Sequence, residues 1–292
     1  MADDLRDIGL IGAGAMGRGM AKALARAGFR VNVDDIDPAA LAALDGIPNV
    51  RTGAPLAAAA CAVVISMLPS ERATESVATS LGEKMPQNGV HLMMATIGPE
   101  LAGNLQAMHE AKAQRFVAAP VFGRPDEAAA GDLTIAAGGA IDAALMQVLR
   151  AMGPRVHTFA QPQQACIVKL AGNGLIGAAI AALAESFALV TAQGIDTKAF
   201  HEIVTAKLFQ GPVYRGVGTM MATDEIDPPN KFAAALAHKD LSLLARSHAL
   251  AGTRAPVSAE VLTLLQQAID AGYASADWSV LARLARVNSR PT

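Results

Sequence analysis

The chain has 292 residues, 52% hydrophobic and 17% charged, and its 24 Lys+Arg against 26 Asp+Glu leave a formal charge of −2. That balance excludes a highly charged disordered chain and supplies no electrostatic footprint for nucleic acid, since no Lys/Arg cluster with interleaved aromatics restores one. At about 150 residues per domain the length accommodates two domains, each with a sizeable core.

In chain order, Met1 to Asp7 is acidic and lacks the basic region and apolar stretch of an export signal, so no export is expected. Short, nearly continuous apolar runs follow at Asp7–Ile11, Val31–Asp34, Val63–Met67, Val90–Met94 and Phe116–Ala118, separated by longer Ala-rich stretches. This alternation predicts βα units on a parallel sheet with helices over both faces, a doubly wound α/β domain. Asp37-Pro38 and Ser70 supply helix starts, and Gly28 and Gly82 supply stops. The longest uncharged run, Gly53 to Ser70, approaches the roughly 18 residues of a membrane helix, but Pro55, Ser66 and Pro69 interrupt it. A buried helix followed by a buried strand is expected there, and no membrane span.

From Gln164 to Gln193 no Pro occurs, the composition is that of a buried helix, and Gly194 stands where a C-terminal stop belongs. At about 1.5 Å per residue such a helix would be about 45 Å long, the length of a whole domain. Further helices are predicted near Thr197–Phe209, Phe232–Ala251, Pro256–Ala271 and Asp277–Val287, with no convincing strand between them. The polar segment Gln161-Pro162-Gln163 marks the boundary between an α/β domain, 1–162, and an all-α domain, 163–292. The only cysteines, Cys61 and Cys166, lie without a CxxC or a Cys/His spacing, which argues against a disulfide framework or a zinc site and for a cytoplasmic location.

Directly after the first predicted strand comes Gly12-Ala13-Gly14-Ala15-Met16-Gly17, a complete GxGxxG opening a helix over Arg18–Ala27. One glycine permits the tight turn, the next lets the backbone approach a pyrophosphate, and the third lets helix and strand pack closely. Backbone amides and the helix dipole then face the phosphates. Between a strand and a helix the motif reads as a Rossmann-type dinucleotide loop, with a purely structural glycine-rich turn as the alternative. Asp35 stands eighteen residues beyond Gly17, in the range where an acid binds the adenosine ribose hydroxyls. A carboxylate there repels a 2′-phosphate and no Arg follows it in this loop, so NAD is expected, with NADP as second choice. Asp34 or Asp37 could make the contact instead, leaving Asp35 to cap the next helix.

The pattern from Gly9-Leu-Ile-Gly-Ala-Gly-Ala-Met-Gly17 to Asp277-Trp278-Ser279 resembles the β-hydroxyacid dehydrogenases, which include 3-hydroxyisobutyrate dehydrogenase and are related to 6-phosphogluconate dehydrogenase. Ile65-Ser66-Met67-Leu68-Pro69 is similar to the family's cofactor-lining strand end, and Ala95-Thr96-Ile97-Gly98-Pro99-Glu100 to its Ser-Thr-Ile-x-Pro-Glu segment. The resemblance implies that Met67, Leu68 and Pro69 line the cofactor and that Thr96 faces the nicotinamide. The family's substrate loop, Asp-x-Pro-Val-Ser-Gly-Gly, stands here as Ala118-Ala119-Pro120-Val121-Phe122-Gly123-Arg124, continuing to Ala128 and Gly131. Phe122 occupies the position of the Ser that holds the substrate's polar end, and Arg124 replaces a glycine, so a small carboxylate cannot be gripped in the usual manner. Lys169-Leu-Ala-Gly-Asn173 fits the family's Lys-x-x-x-Asn on the long interdomain helix, with Ala165 where a glycine often precedes it, and Lys239-Asp240-Leu241 matches its Lys-Asp-Leu.

Lys169 and Asn173 are four residues apart, so on a helix they project from one face and can meet one small molecule. Among Ile167, Val168, Leu170, Leu175 and Ile176 a lysine is costly to bury, and a lowered pKa suits a group exchanging protons near neutral pH. Its ammonium can protonate and stabilise a developing alkoxide, and the neutral amine can accept a hydroxyl proton in reverse. A snorkelling lysine with an incidental Asn is the alternative. Lys239 reads as a cation near the substrate carboxylate or the nicotinamide, or as part of an exposed charged helix face with Asp240 as its intrahelical partner. Arg124 either takes over carboxylate binding or pairs with Asp126 or Glu127. His91, His109, His157, His201 and His248 lie without ligand spacing and read as surface or satisfied core residues, and no metal site is proposed.

The expectation is hydride transfer between a nicotinamide cofactor and a small β-hydroxyacid or its semialdehyde or keto form. Lys169 and Asn173 are the catalytic pair, and Phe122, Gly123, Arg124 and Lys239 surround the substrate with them. Gly12, Gly14, Ala15, Met16, Gly17, Asp35, Met67, Leu68, Pro69, Thr96 and Lys239 hold the cofactor. Imine reduction on the same scaffold and NAD binding without catalysis are the alternatives. A homodimer or homotetramer is expected, because a 30-residue helix with so few charges is hard to cover within one chain.

Overall fold

A computed structural model of the chain describes residues 6–53, 58–228 and 231–286. The acidic start ahead of Arg6, Pro55 in the uncharged run and Val287 at the end of the last predicted helix lie outside them. The chain divides into two units, Met1–Lys169 and Leu170–Thr292.

In the first unit the strands are β1 (Asp7–Ile11), β2 (Arg30–Asp34), β3 (Val50–Thr52), β4 (Val63–Ser66), β5 (Val90–Met93), β6 (Arg115–Ala118), β7 (Val121–Phe122), β8 (Thr134–Gly138) and β9 (Arg155–Phe159). They form one sheet in the order β3-β2-β1-β4-β5-β6-β8-β7, with β9 also on β8. From β3 to β6 every pairing is parallel; β8 runs antiparallel to β6 and β7 and parallel to β9. The parallel core is the doubly wound sheet predicted, and β3 and β7–β9 are additions. Every residue of β4 and β5 is buried, as a strand covered on both faces requires.

The helices of this unit are α1 (Ala15–Arg26), α2 (Pro38–Ala42), α3 (Glu71–Lys84), α4 (Pro99–Glu110), α5 (Pro125–Ala130) and α6 (Ala143–Met152). Asp37 caps α2 by accepting from Ala39 N at 3.0 Å, and Ser70 caps α3 by accepting from Ala73 N at 3.2 Å. Gly28, at φ 93°, takes the left-handed turn after α1. Gly82 does not end a helix: α3 runs on to Lys84, and a Cβ at Gly82 would stand 3.2 Å from Lys112 Nζ, so the glycine serves close packing. Of the helix expected ahead of β4, residues 54–57 lie outside the described residues, and Ala58–Ala60 form a turn rather than helix. The core joins Ile8, Leu10, Val31, Val63, Ile65 and Leu92 of the sheet to Met20 and Leu24 of α1.

α7 (Pro162–Ala192) begins in the first unit and runs into the second, which adds α8 (Thr197–Thr205), a π-helical turn (Val213–Val217), α9 (Gly218–Thr223), α10 (Ala234–Leu250), α11 (Pro256–Asp270), a 3₁₀ turn (Trp278–Val280) and α12 (Leu281–Ala285). Their core gathers Phe187, Leu241, Leu244, Leu265 and Trp278. Gly194, at φ 69°, closes α7 where predicted. α8 stops short of Phe209, and the Gly211-Pro212 turn leads into the π-helical turn. Among the described residues α7 is the one helix long and apolar enough to cross a membrane, with mean hydropathy 1.9, yet only 28% of that stretch is buried. A buried helix was predicted; instead Leu175 is 75% and Leu189 64% exposed. The reason is that α7 is apolar around its whole circumference while its neighbours cover part of it.

Candidate dinucleotide and substrate site

The strand order reverses between β1 and β4, and sheets of this kind receive ligands at the carboxyl ends of the strands flanking such a reversal. Gly12 follows β1 at φ +101°, and a Cβ there would strike the Met67 carbonyl oxygen at 2.3 Å. At Gly17 a Cβ would strike the Gly12 carbonyl oxygen. At Gly14 nothing lies within 4 Å of the Cβ position. Two glycines therefore serve packing within the loop, and the third keeps an outward space clear. Gly14 is also the N-cap of α1, with no side-chain capping bond and no acidic residue in the first turn. The N–H donors and positive end of α1 are thus left for an anion, and the loop fits a pyrophosphate.

Asp35 lies just past β2. Its Oδ2 accepts from Ala13 N at 2.5 Å and its Oδ1 from Asp37 N at 2.8 Å, so its carboxylate is tied to the glycine loop. The alternative in which Asp35 caps the following helix is corrected, because Asp37 performs that task. Met67, Leu68 and Pro69 follow β4, Met67 N donating to Ile11 O at 2.9 Å, and half-buried Thr96 follows β5. Glu71, which the sequence did not single out, accepts from Gly98 N at 2.8 Å and holds the turn between Thr96 and α4. Its only sequence signal is an acid directly after the Ser70 cap.

Phe122 ends β7, and Gly123 sits at φ +146° where a Cβ would lie 2.6 Å from Leu133. Glu127, considered as an ion-pair partner for Arg124, accepts instead from the backbone N–H of Arg124 at 2.7 Å, closing the first turn of α5. Lys169 is half-buried, and its Nζ lies 4.3 Å from the centroid of the Phe122 ring, a cation–π contact. The two residues singled out separately in the sequence therefore meet.

In the second unit Asn173 is 3% exposed and donates from Nδ2 to Asp240 Oδ2 at 2.6 Å. Asp240, itself buried, also lies 3.0 Å through Oδ1 from Lys239 Nζ. Asp240 thus joins the Lys-x-x-x-Asn and Lys-Asp-Leu segments, a link the sequence showed only in its Lys239 half. Lys239 does not belong to a solvated charged face, since its side chain is 27% exposed. His91 and His109 are wholly buried and hydrogen-bonded, the satisfied core histidines expected. Both cysteines are buried thiols not joined in a disulfide; burial pushes the Cys166 thiol up to about 12 and raises that of Cys61, so neither is a thiolate near neutral pH.

Two family descriptions match the chain: the NAD binding domain of 6-phosphogluconate dehydrogenase over residues 7–168, and NAD-binding of NADP-dependent 3-hydroxyisobutyrate dehydrogenase over residues 164–285. An uncharacterized oxidoreductase of Bacillus subtilis, YfjR, is 31% identical, the match covering 94% of this chain and 98% of the relative. An NAD-dependent L-serine dehydrogenase of Pseudomonas aeruginosa is 30% identical over 96% of this chain and 98% of its own length. The crystal structure of a 3-hydroxyisobutyrate dehydrogenase from Salmonella typhimurium shares the fold with a TM-score of 0.87 at 24% identity, covering 95% of this chain and 99% of that one.

Proposed function

The chain belongs to the β-hydroxyacid dehydrogenases, and from that premise we propose how its residues divide the work of an NAD(P)-dependent oxidoreductase acting on a small β-hydroxyacid or its semialdehyde or keto form. Bound at the glycine loop, the nicotinamide supplies the hydride acceptor or donor. Gly12, Gly14, Ala15, Met16 and Gly17 cradle the pyrophosphate at the start of α1. Asp35 binds the ribose hydroxyls and disfavours a 2′-phosphate, which makes NAD the preferred form. Met67, Leu68 and Pro69 line the ring side, with Thr96 facing it.

Lys169 gives a proton to the substrate oxygen on reduction and takes it back on oxidation, and its ammonium stabilises negative charge on that oxygen. Asn173 orients the substrate, and Lys239 supplies a second cation for the substrate carboxylate or the nicotinamide. Phe122 and Gly123 form a wall without a hydroxyl, so Arg124 binds the carboxylate. A small molecule is thus the partner. The observation that carries this reading is the glycine loop at the reversal of strand order with clear space over Gly14. A panel of 3-hydroxyisobutyrate, L-serine, L-threonate and cyclic imines, assayed with both cofactors, tests it. The highest kcat/KM is expected on a hydroxyacid with NAD. Faster turnover of a cyclic imine, which the Phe122 ring would favour, contradicts the substrate assignment, and NADH binding without turnover of any member contradicts catalysis.

We also infer that the chain self-associates in the cytoplasm as a homodimer or homotetramer, the exposed apolar side chains of α7 being covered by a second copy.

A further inference from the structure

Beneath the cofactor wall runs a chain of buried polar groups that the mechanism leaves unused. Ser66, His91 and His109 are fully buried and Gln114 is 5% exposed. Ser66 Oγ lies 2.8 Å from His91 Nε2, His91 Nδ1 lies 2.9 Å from His109 Nε2, and His109 Nδ1 lies 2.8 Å from Gln114 Oε1. At the far end Gln114 Nε2 donates to the carbonyls of Met85 at 2.9 Å and Gly82 at 3.3 Å.

That far end determines every proton in the chain. Two carbonyl oxygens only accept, so the amide group facing them is the NH₂, and Oε1 faces His109. His109 therefore carries its proton on Nδ1, its Nε2 accepts from His91 Nδ1–H, and His91 Nε2 accepts from the Ser66 hydroxyl. A second proton on His109 would face the His91 Nδ1–H, donor against donor, whereas one on His91 would turn the Ser66 hydroxyl from donor to acceptor. Burial, with His109 beside it, holds His91 well below the ordinary imidazole range, and burial also lowers His109.

The near end of the chain meets the cofactor loop. The Ser66 carbonyl accepts from Met94 N at 2.9 Å, the next residue donates from Met67 N to Ile11 O at 2.9 Å, and the Met67 carbonyl is the atom that leaves no room for a Cβ on Gly12. We propose that Ser66 is a positioning residue for the dinucleotide: the one-directional relay Ser66–His91–His109–Gln114 locks the carboxyl end of β4 and sets the distance between Met67 and the glycine loop. The proposal rests on the reading of Met67–Pro69 as a cofactor wall.

Ser66→Thr and Ser66→Val test it, because the two side chains have the same shape and differ in the hydroxyl. NADH affinity by fluorescence titration, kcat and KM for the cofactor, and ¹⁵N NMR of the wild-type histidines are the readouts. Wild type should show two neutral rings protonated on Nδ1. Ser66→Thr should bind NADH within about twofold of wild type, whereas Ser66→Val should bind about five- to tenfold more weakly, the scale of one lost hydrogen bond, with kcat at saturating NADH little changed. Equal NADH affinity in the two variants, or a His91 proton on Nε2, would overturn the relay. The NMR result stands even where neither variant folds. Failure of wild type itself to bind NADH would instead sink the cofactor reading, and the proposal with it.

Discussion

Three glycines in one motif look alike in the sequence and differ in what surrounds them. A methyl at Gly17 would penetrate the Gly12 carbonyl, while a methyl at Gly14 would enter empty space. Gly17→Ala is therefore expected to cost stability on the scale of core overpacking, about 1–3 kcal/mol, visible as a lower midpoint in thermal denaturation. Gly14→Ala should leave that midpoint unchanged and weaken NADH binding about tenfold or more, because its methyl occupies the space kept clear for phosphate. A lowered midpoint with undiminished NADH affinity in Gly14→Ala would remove the phosphate from that space. At the same scale, the ring of Phe122 beneath Lys169 attracts an ammonium by about 0.5–2 kcal/mol according to how dry the contact is, and offers no hydrogen bond to a substrate. Asn173, Asp240 and Lys239 are of the opposite kind, a polar cluster in which the buried Asp240 carboxylate meets both the Asn173 amide and the Lys239 ammonium.

At the scale of elements, apolar patterning made the parallel strands and the longest helix legible, while β8 was missed although four of its five residues are buried. β1, β4, β5 and β6 are read from nearly continuous apolar runs, β2 from its alternating Val31 and Val33, and α7 from the absence of Pro before Gly194. β3 and β7 escape because three and two residues carry no periodicity, and β9 because its side chains are largely exposed. Gly82 misleads for a physical reason: a glycine that admits a neighbouring lysine stem looks the same in sequence as one that ends a helix. The exposure of α7 has its own consequence. Leu175 and Leu189 are too extensively exposed for a helix that stays bare in water, so sedimentation at micromolar concentration should show a multiple of the 29.9 kDa chain. A single species of one-chain mass would contradict self-association.

Across the whole molecule, candidate site residues stand out in the sequence where local spacing marks them, as in the glycine loop with Asp35 and in the four-residue step from Lys169 to Asn173. Contacts between residues that meet only through the fold were not legible. The Lys169–Phe122 contact and the Asn173–Asp240 bond join residues 47 and 67 positions apart, and no local pattern encodes either. The proposed roles put binding on the loops that follow the parallel strands and proton transfer on one amine of α7, so the two are separable by experiment. The decisive measurement is turnover of Lys169→Ala on the best hydroxyacid substrate, taken together with its NADH affinity. Turnover should fall by about two to four orders of magnitude, the worth of a positioned acid–base group, while NADH binds about as tightly as to wild type. Undiminished turnover would take the amine out of the chemistry.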